Sequence, residues 1–516
     1  MNRVLVISSD TVDKNMGGMG VRYWEISKSL AKHCQVTLAV PNQTELSTDS
    51  LQVVSFDLMK GDLRQWATDS KVIILQGAVL HFHPYLRELG VPLVVDLYDP
   101  SLLEGLVWHD HDDWNTWLPA YEEYLRVQIE LLRAGDFFFC ASERQRDYWL
   151  GWLHALKRIN PHTFRDDPTF RKLIDVVSFG LPMDEPIHQK AVLKGVLPEI
   201  CSTDRVILWA GGLWDWLDPL TVIRAMAELV PTHPELKLYF LGTKHPNSVL
   251  TGMTMPHKAI QLSKELGLYG KHIFFGDWTP YEDRADYLLE ADLSIVAHTE
   301  HLETHFSFRT RILDCIWARL PLVVTSGDLM SDWVVSYNLG QVVSPLNVPA
   351  MSEAIIKVLS AGRQAFNASF ENARNALVWD QVISPLLTFC LRPNPAPDKK
   401  HYLTETERMA QAKDAFLSQV VTEKDAFLNQ VIQSKDAFLN QVIQSKDAFV
   451  EQVIKEKDDF WKNIIMEKDA QLERQMSENA ALQQRVNAND QELARLYSYR
   501  FVRAYIKVRR FLGWDR

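Results

Sequence analysis

The stretch "RVLVISSDTVDKNMGGMGVRYWEI", residues 3–26, begins with a short apolar run and ends in a segment with helical periodicity. The apolar run has the length and the continuous hydrophobicity of a strand buried on both faces. Gly17, Gly18 and Gly20 come just before the helical segment. Closely spaced glycines let backbone N–H groups approach an anionic oxygen at a helix N-terminus. The stretch therefore predicts a strand, a glycine loop and a helix, and the loop is either a phosphate site or a tight turn.

Similar strand-like runs recur along the chain in two sets. The first set is "RVLVISS", "CQVTLAV", "KVIILQG", "VPLVVDL" and "DFFFCAS", and the second is "RVILWAGG", "LKLYFLG", "HIFFGDW", "LSIVAHT" and "PLVVTSG". Alternation of such runs with helix-length segments is typical of the doubly wound α/β class. Because a hydrophilic stretch separates the two sets, we expect two Rossmann-like domains, residues 1–185 and 186–392, that face a cleft.

The residues after the second domain predict a separate helical region. A proline-rich linker, 393–404, is followed by residues 405–492, which repeat with a period of eleven in units that start at Lys413, Lys424, Lys435, Lys446, Lys457 and Lys468. Eleven residues complete almost three helical turns, so the apolar positions of units such as "KDAFLNQVIQS" stay on one stripe. We expect a coiled coil that joins copies of the chain; a single solvated helix is the alternative.

The C-terminal segment, residues 493–516, has a charge opposite to that of the rest of the chain. The whole chain has a net charge of -11, but residues 495–516 contain seven Lys or Arg and a single Asp. In "LYSYRFVRAYIKVRRFLGW" the basic residues share one helical face and apolar residues share the other. This pattern is typical of a helix in an anionic membrane interface. Docking on an acidic protein surface is the alternative.

Composition excludes several other classes. The acidic body disfavours general nucleic-acid binding. The five cysteines never form a C-x-x-C pair, so neither a disulfide framework nor a zinc site is predicted. No run of about 18 apolar residues is present, and the N-terminus lacks the pattern of a signal peptide. We therefore expect a cytoplasmic protein that lies peripherally on the inner face of the cell membrane.

Acidic residues follow one strand of the first domain. Asp96 and Asp99 lie at the end of "VPLVVDL", where open α/β sheets bind ligands. Either is a candidate acid, base or acceptor contact, or a helix N-cap. Downstream, "WHDHDDW", residues 108–114, has metal-binding residue types, but their contiguous spacing is not that of a defined metal site. A polar helix start or an acceptor contact is the preferred interpretation.

The second domain contains the candidate contacts for a nucleotide. Lys244 is either a phosphate contact or a solvated loop residue, and Trp278 either stacks on a base or packs in the core. In "EHLETHFSFRTRILDC", backbone N–H groups near a helix start and two arginines predict a diphosphate site, formed by Ser307, Phe308, Arg309, Thr310 and Arg311. Asp314, one turn later, is placed to accept hydrogen bonds from ribose hydroxyls.

Seven ordered pieces of residues 1–390 support a resemblance to a known family. They are the glycine loop, "CASERQRDYWLG", "SFGLP", "GGLWDWLDPLTVIRA", "GDWTPYEDRADYLLEADLSI", "RTRILDCIWARLPLVVT" and "LVWDQVISPLL". Together they resemble the family-4 (group 1) glycosyltransferases of the GT-B fold. In that family the last piece belongs to a closing helix, here about 366–390, that crosses back to the first domain.

The chain departs from the family pattern at the donor site. Family members carry two glutamates eight residues apart, but here Phe306 has the first position and Asp314 the second. Glu303 is the nearest acid able to serve the donor sugar. Gly212 stands where an arginine that grips the diphosphate is expected, and the lysine that follows it in the family is missing. Arg309, Arg311 and Lys244 are the candidates to supply that charge.

The resemblance implies a hexosyltransferase-type reaction. A sugar moves from a nucleotide-diphosphate sugar to an acceptor glycan with retention at the anomeric carbon, without a cofactor or a required metal. Asp99 and Glu303 are the expected catalytic residues, and Gly17, Gly18 and Asp314 are expected to contact the donor. With the coiled coil and the basic tail, the resemblance suggests synthesis of a bacterial cell-surface polysaccharide or lipopolysaccharide. A nucleotide-sugar epimerase and a non-catalytic scaffold on the same fold are the alternatives.

Overall fold

The computed structural model describes residues 1–98, 100–109, 113–243, 253–399, 405–444 and 450–496, together with residues 509 and 511. Residues 1–398 form one compact unit that contains two parallel β-sheets. The long helices that follow belong to a second unit. The predicted pair of doubly wound α/β domains is therefore confirmed.

The first sheet has seven parallel strands in the order β3-β2-β1-β4-β5-β6-β7. Its strands are β1 (Arg3–Ile7), β2 (Gln35–Val40), β3 (Gln52–Ser55), β4 (Val72–Leu75), β5 (Leu93–Asp96), β6 (Phe137–Cys140) and β7 (Ile174–Val176). Strands β4, β5 and β6 are buried along their whole length, as expected of a sheet covered by helices on both faces. The helices are α1 (Gly18–Ala31), α2 (Arg64–Ala67), α3 (Val79–Phe82), α4 (Ser101–Trp108), α5 (Trp114–Ala134), α6 (Glu143–Ala155) and α7 (Pro161–Asp166).

The second sheet has six parallel strands in the order β10-β9-β8-β11-β12-β13. Its strands are β8 (Arg205–Ala210), β9 (Leu236–Leu241), β10 (Ile273–Phe275), β11 (Leu293–Val296), β12 (Leu322–Thr325) and β13 (Gly340–Val343). The helices are α8 (Pro219–Leu229), α9 (Met255–Glu265), α10 (Arg284–Glu290), α11 (Leu302–Phe306), α12 (Arg311–Trp317), α13 (Leu329–Ser336), α14 (Val348–Ala361), α15 (Asn367–Asn375), α16 (Trp379–Val382) and α17 (Ser384–Leu391). In both sheets the order reverses beside the first strand, which is where open α/β sheets bind ligands.

Three strands, β3, β7 and β13, were not predicted from the sequence. Each is three or four residues long, and each forms an edge of its sheet. Most of their residues are only partly buried, and they lack the continuous apolar run that identifies the central strands.

The closing segment returns to the first domain as three short helices, α15 to α17, rather than as one. Pro385 lies at the start of α17, where its missing N–H costs no helical hydrogen bond. The backbone N–H of Trp379 donates to the carbonyl of Leu181 at 3.1 Å, and the Asn2 amide donates to the carbonyl of Cys390 at 2.9 Å. These bonds attach the end of the second domain to the first.

The repeat region forms α18 (Glu405–Gln444) and α19 (Val450–Leu496). Apolar side chains of the repeats are exposed in the single chain: Phe416 42%, Leu417 38%, Val420 37%, Phe427 42% and Leu428 40%. Pairing of these helices as a coiled coil stays a prediction, and most of the basic tail, residues 493–516, lies outside the described residues. Among the described residues, no helix has both the length and the apolar character needed to cross a bilayer.

Candidate active site

The carboxyl ends of β8 and β11, neighbours at the reversal of strand order, define the candidate site of the second domain. Gly211 and Gly212 follow β8, and His298 lies just after β11. The N–H of Asp218, in the loop after β8, donates to the carbonyl of Ala297 at 2.9 Å, which joins the two loops. The predicted donor residues from Ser307 to Asp314 come next along the chain.

Arg311 lies directly beneath the glycine turn that follows β8. Its Nη2 donates to the Gly212 carbonyl at 3.1 Å, and its guanidinium carbon is 5.5 Å from the centre of the Trp209 ring. Gly211 has a φ of +134°, and a Cβ there would lie 3.5 Å from that guanidinium carbon. A side chain at residue 211 would therefore contact the guanidinium at an ordinary van der Waals distance, but it would strain the turn.

The positive charge of Arg311 has no carboxylate near it among the described residues. Within the described part of the chain, no carboxylate oxygen lies within 4.0 Å of its guanidinium, and its enclosed Nη1 has no hydrogen-bond partner. Burial, together with the positive charge of Arg309, lowers the pKa of Arg311 to about 9. Arg311 as a whole is only partly buried, and its enclosed guanidinium would be stabilised by an incoming anion.

Arg309 has a different environment, although it is only two residues away. Its Nη2 donates to Glu303 Oε2 at 2.8 Å, and its Nε lies 3.9 Å from Asp328 Oδ2. Burial acts to lower the pKa of Arg309, but the charges of Glu303 and Asp328 outweigh it, so the pKa is raised. His298 Nε2 contacts the same Asp328 carboxylate at 3.2 Å. The four side chains form a buried charge cluster.

The charge cluster changes the interpretation of the two arginines. The sequence predicts that both add positive charge to the diphosphate site, but the charge of Arg309 is offset inside the domain by Glu303 and Asp328. Glu303 is 0% exposed, and its Oε1 has no partner among the described residues. A sugar contact at Glu303 therefore requires that this oxygen become accessible, because its other oxygen is engaged by Arg309.

Asp314 is also paired, in this case with a residue that was not singled out from the sequence. Its Oδ1 accepts from Arg284 Nε at 3.0 Å, while its side chain remains 38% exposed. The Arg284 guanidinium packs on the rings of Tyr281 and Trp317, with its carbon 3.6 Å and 4.4 Å from their centres. Arg284 thus fixes the orientation of Asp314 and leaves the second carboxylate oxygen for another donor.

The glycine loop of the first domain faces the start of α12. Gly17 is the N-cap of α1, and a Cβ on Gly18 would lie 3.9 Å from Thr310 Oγ1. Nearby, the Tyr98 hydroxyl donates to the Phe308 carbonyl at 3.1 Å, across the two domains. The Ser307 N–H donates to the Glu303 carbonyl at 2.9 Å, so this amide is used within α11.

Trp278 borders the same edge of the second sheet, and the other predicted residues are placed elsewhere. A Cβ on Gly242 would lie 3.1 Å from Trp278 Cε3, and the Trp278 ring is 6.4 Å from that of Trp214. This arrangement leaves Trp278 half-buried beside the loops after β9 and β10. Lys244 and Asp99 lie outside the described residues.

Asp96 has a role in the core of the first domain. Its carboxylate accepts from Arg22 Nε at 2.7 Å, and both side chains are fully buried. Arg22 also packs among the rings of Tyr98, Phe139 and Phe179. Asp96 therefore joins β5 to α1 and is not exposed to a substrate.

The described residues contain no group of three or more His, Cys, Asp or Glu that could hold a metal ion. Residues 110–112, in the middle of "WHDHDDW", lie outside them. The flanking Asp113 is the N-cap of α5, where its side chain accepts from the Thr116 N–H. This cap agrees with the predicted polar helix start.

Comparison with known proteins gives the family context of this geometry. Residues 199–375 match the model of the family described as "Glycosyl transferases group 1". The search of curated protein sequences found no significant match. The family match includes the glycine turn after β8, α11 and α12, and it supports a relationship with the group 1 glycosyltransferases.

Three solved structures illustrate the similarity in fold. Sucrose-phosphate synthase from Thermosynechococcus elongatus has a TM-score of 0.53 and 14% identity, with 76% of this chain and 98% of that chain covered. WaaG, a glycosyltransferase involved in lipopolysaccharide biosynthesis, has a TM-score of 0.51 and 15% identity, with coverage of 76% and 100%. Anabaena HepE in complex with UDP-glucose has a TM-score of 0.53 and 14% identity, with coverage of 76% and 99%. The fold of residues 1–398 is therefore GT-B, and long C-terminal helices follow it.

Proposed function

We propose that this protein is a retaining glycosyltransferase that moves a sugar from a nucleotide-diphosphate sugar to an acceptor glycan. The observation that carries the proposal is Arg311, a cation without a carboxylate partner in the described residues, placed under the glycine turn at the reversal of strand order. The group 1 family match over residues 199–375 supports the same reaction class. UDP-glucose in the similar structure of HepE supports a nucleotide sugar as the donor.

Arg311 has the chemistry that the departing diphosphate needs. In sugar transfer the bond from the anomeric carbon to the diphosphate breaks, and negative charge develops on the leaving oxygen. A preorganised guanidinium stabilises that charge more in an enclosed site than in water. In this proposal Arg311 binds the diphosphate, Asp314 binds the ribose and Trp278 packs on the base, and no metal is required.

The first domain supplies the other half of the proposed site. The loop at Gly17 and Gly18 lies opposite Thr310, so a donor bound at Arg311 is contacted from both domains. Asp99 follows β5 on the acceptor side, where we propose that it contacts the acceptor hydroxyl. Enclosure between the domains would exclude water and limit hydrolysis of the donor.

A donor turnover assay tests the proposal. The full chain is incubated with UDP-, GDP- and ADP-sugars and a mixture of short oligosaccharides. The products are separated by chromatography, and their length and configuration are determined by mass spectrometry and NMR. An oligosaccharide longer by one sugar, with the anomeric configuration of the donor, is the expected result. A free epimerised nucleotide sugar would contradict it and support an epimerase.

A non-catalytic scaffold is the second candidate, because of one observation. Phe306 has the position of the expected first glutamate, and Glu303 is fully buried in an ion pair with Arg309. If this pair never opens, the donor sugar has no carboxylate contact. Nucleotide binding without any turnover in the same assay would support the scaffold.

We also propose a location and an assembly for the enzyme. The exposed apolar stripe of α18 would pair with other copies, and the basic tail, residues 493–516, would bind the anionic inner face of a bacterial cell membrane. There the enzyme would act in cell-surface polysaccharide or lipopolysaccharide synthesis, the process named for WaaG. Removal of residues 493–516 should release the protein from vesicles containing phosphatidylglycerol in a sedimentation assay. Unchanged sedimentation would contradict the role of the tail.

A further inference from the structure

Helices α4 and α5 of the first domain carry a row of aromatic side chains that the proposed donor site does not use. We define the aromatic ladder as Trp108, His109, Trp114, Trp117 and Tyr121. The centres of successive rings are 4.9 Å apart for Trp108 and His109, 5.4 Å for His109 and Trp117, 6.0 Å for Trp114 and Trp117, and 5.3 Å for Trp117 and Tyr121. The rings therefore form one connected cluster, in which His109 is stacked on both Trp108 and Trp117.

The aromatic ladder is buried at its centre and exposed to solvent at its end. Trp117 is 6% exposed, whereas Trp114, which packs on it, is 61% exposed. Asp113 caps the start of α5 and fixes the backbone next to Trp114. A large aromatic ring held rigidly at the surface binds a partner at little cost in conformational entropy.

The aromatic ladder begins near the candidate active site. Helix α4 follows β5 at the carboxyl edge of the first sheet. It packs both against α5 and against α11, the short helix of the second domain that carries Glu303. A chain-like ligand lying along the aromatic ladder would therefore extend from the surface towards the cleft.

The charge around the aromatic ladder favours a polyhydroxylated ligand without negative charge. Residues 101–126 contain six Asp or Glu and a single Lys or Arg, Arg126, whose guanidinium pairs with Glu123. This segment therefore has a net negative charge. Carboxylates accept hydrogen bonds from hydroxyl groups and repel phosphates and anionic lipids. A pyranose ring presents a face of C–H groups that packs on an aromatic ring, while its hydroxyls stay at the edge for polar contacts. A neutral sugar chain meets both conditions, and an anionic membrane surface does not.

We propose that the aromatic ladder is part of an acceptor subsite, in which Trp114 stacks on one sugar ring of a neutral oligosaccharide whose end extends towards the cleft. This inference rests on the proposed glycosyltransferase function and names the chemical class of its acceptor. Trp114 is the outermost stacking platform, and Trp117 supports it from below.

The test uses the labelled full-length chain on an array of neutral and acidic oligosaccharides of three to six sugars. Wild type should bind neutral members, and Trp114→Ala should lower the affinity about tenfold, the loss expected for one stacking contact. Trp114→Phe, which keeps a ring, should restore most of the binding. Phe164→Ala is the matched control, because Phe164 is also an exposed aromatic residue of this domain, at 52%, but lies outside the aromatic ladder.

Three outcomes would overturn the inference. One is equal binding by Trp114→Ala and wild type, and another is binding by wild type to acidic oligosaccharides alone or to none. The third is loss of binding to phosphatidylcholine–phosphatidylglycerol vesicles in Trp114→Ala without any loss on the array, which would assign the aromatic ladder to a membrane.

Calorimetric titration of the same proteins with UDP, GDP and ADP separates the two proposals. If wild type binds none of these nucleotides, the proposed function fails, whereas nucleotide binding without oligosaccharide binding removes only the acceptor subsite.

Discussion

Arg311→Met would remove the guanidinium that lies under the Gly211–Gly212 turn and that binds the diphosphate in the proposed function. A charge-assisted hydrogen bond to a phosphate oxygen contributes about 1.5–3 kcal/mol. Its loss should weaken binding of a nucleoside diphosphate by about 10-fold to 150-fold. Because the wild-type cation has a pKa of about 9, lowered by burial and by Arg309, it remains charged at neutral pH. The loss should therefore be nearly constant between pH 6 and 8.

Isothermal titration with UDP, GDP and ADP measures this effect, and the tightest-binding nucleotide serves for all variants. Arg205→Met is the control for the loss of one positive charge, because Arg205 begins β8 at the opposite end of the strand. That control should bind the nucleotide as wild type does. Unchanged affinity in Arg311→Met, with a folded protein, would refute the assignment of Arg311 to the diphosphate.

Arg309→Met should lower the free energy of unfolding by about 3–5 kcal/mol, because Glu303 is left buried and unpaired. Urea denaturation measures this loss of stability, and an unfolding midpoint equal to that of wild type would contradict the charge cluster. Asp314→Asn should weaken nucleotide binding about tenfold through the loss of a charged acceptor for ribose, and unchanged affinity in the same titration would remove Asp314 from the site. Replacing Phe416 and Phe427 by serine should lower the oligomeric mass measured by light scattering, since both belong to the exposed stripe of α18; a wild-type mass that already equals one chain would contradict the coiled coil.

The central part of the fold could be predicted because its signals are local. The strand, glycine loop and helix of residues 3–26 depend on a continuous apolar run followed by closely spaced glycines, and the structure has them in β1 and α1. The edge strands β3, β7 and β13 depend on pairing with a neighbour instead of on their own hydrophobicity. Their short, half-buried sequences contain little that distinguishes them from loops.

The environments of the site residues could not be predicted, because they depend on contacts distant in sequence. Arg309 and Arg311 look equivalent in "SFRTR", but the backbone directs one towards Asp328 and the other towards Gly212. Arg284, which holds Asp314, lies thirty residues before it and had no distinguishing motif. The aromatic residues of "WHDHDDW" are not distinguished by their spacing, because Trp108 and Trp114 are joined through Trp117 and His109 only when α4 packs on α5.

The eleven-residue period of α18 has a consequence for the evolution of the chain. Insertion or deletion of one whole unit changes the helix by about 16 Å, at about 1.5 Å per residue. Because eleven residues are close to three turns, every apolar side chain beyond the change shifts by only about 20° about the helix axis. Duplication within the gene can therefore adjust the reach of this segment in fixed steps without redesigning its contact face, and the consecutive "KDAFLNQVIQS" units at Lys424 and Lys435 are identical, as recent duplication would leave them.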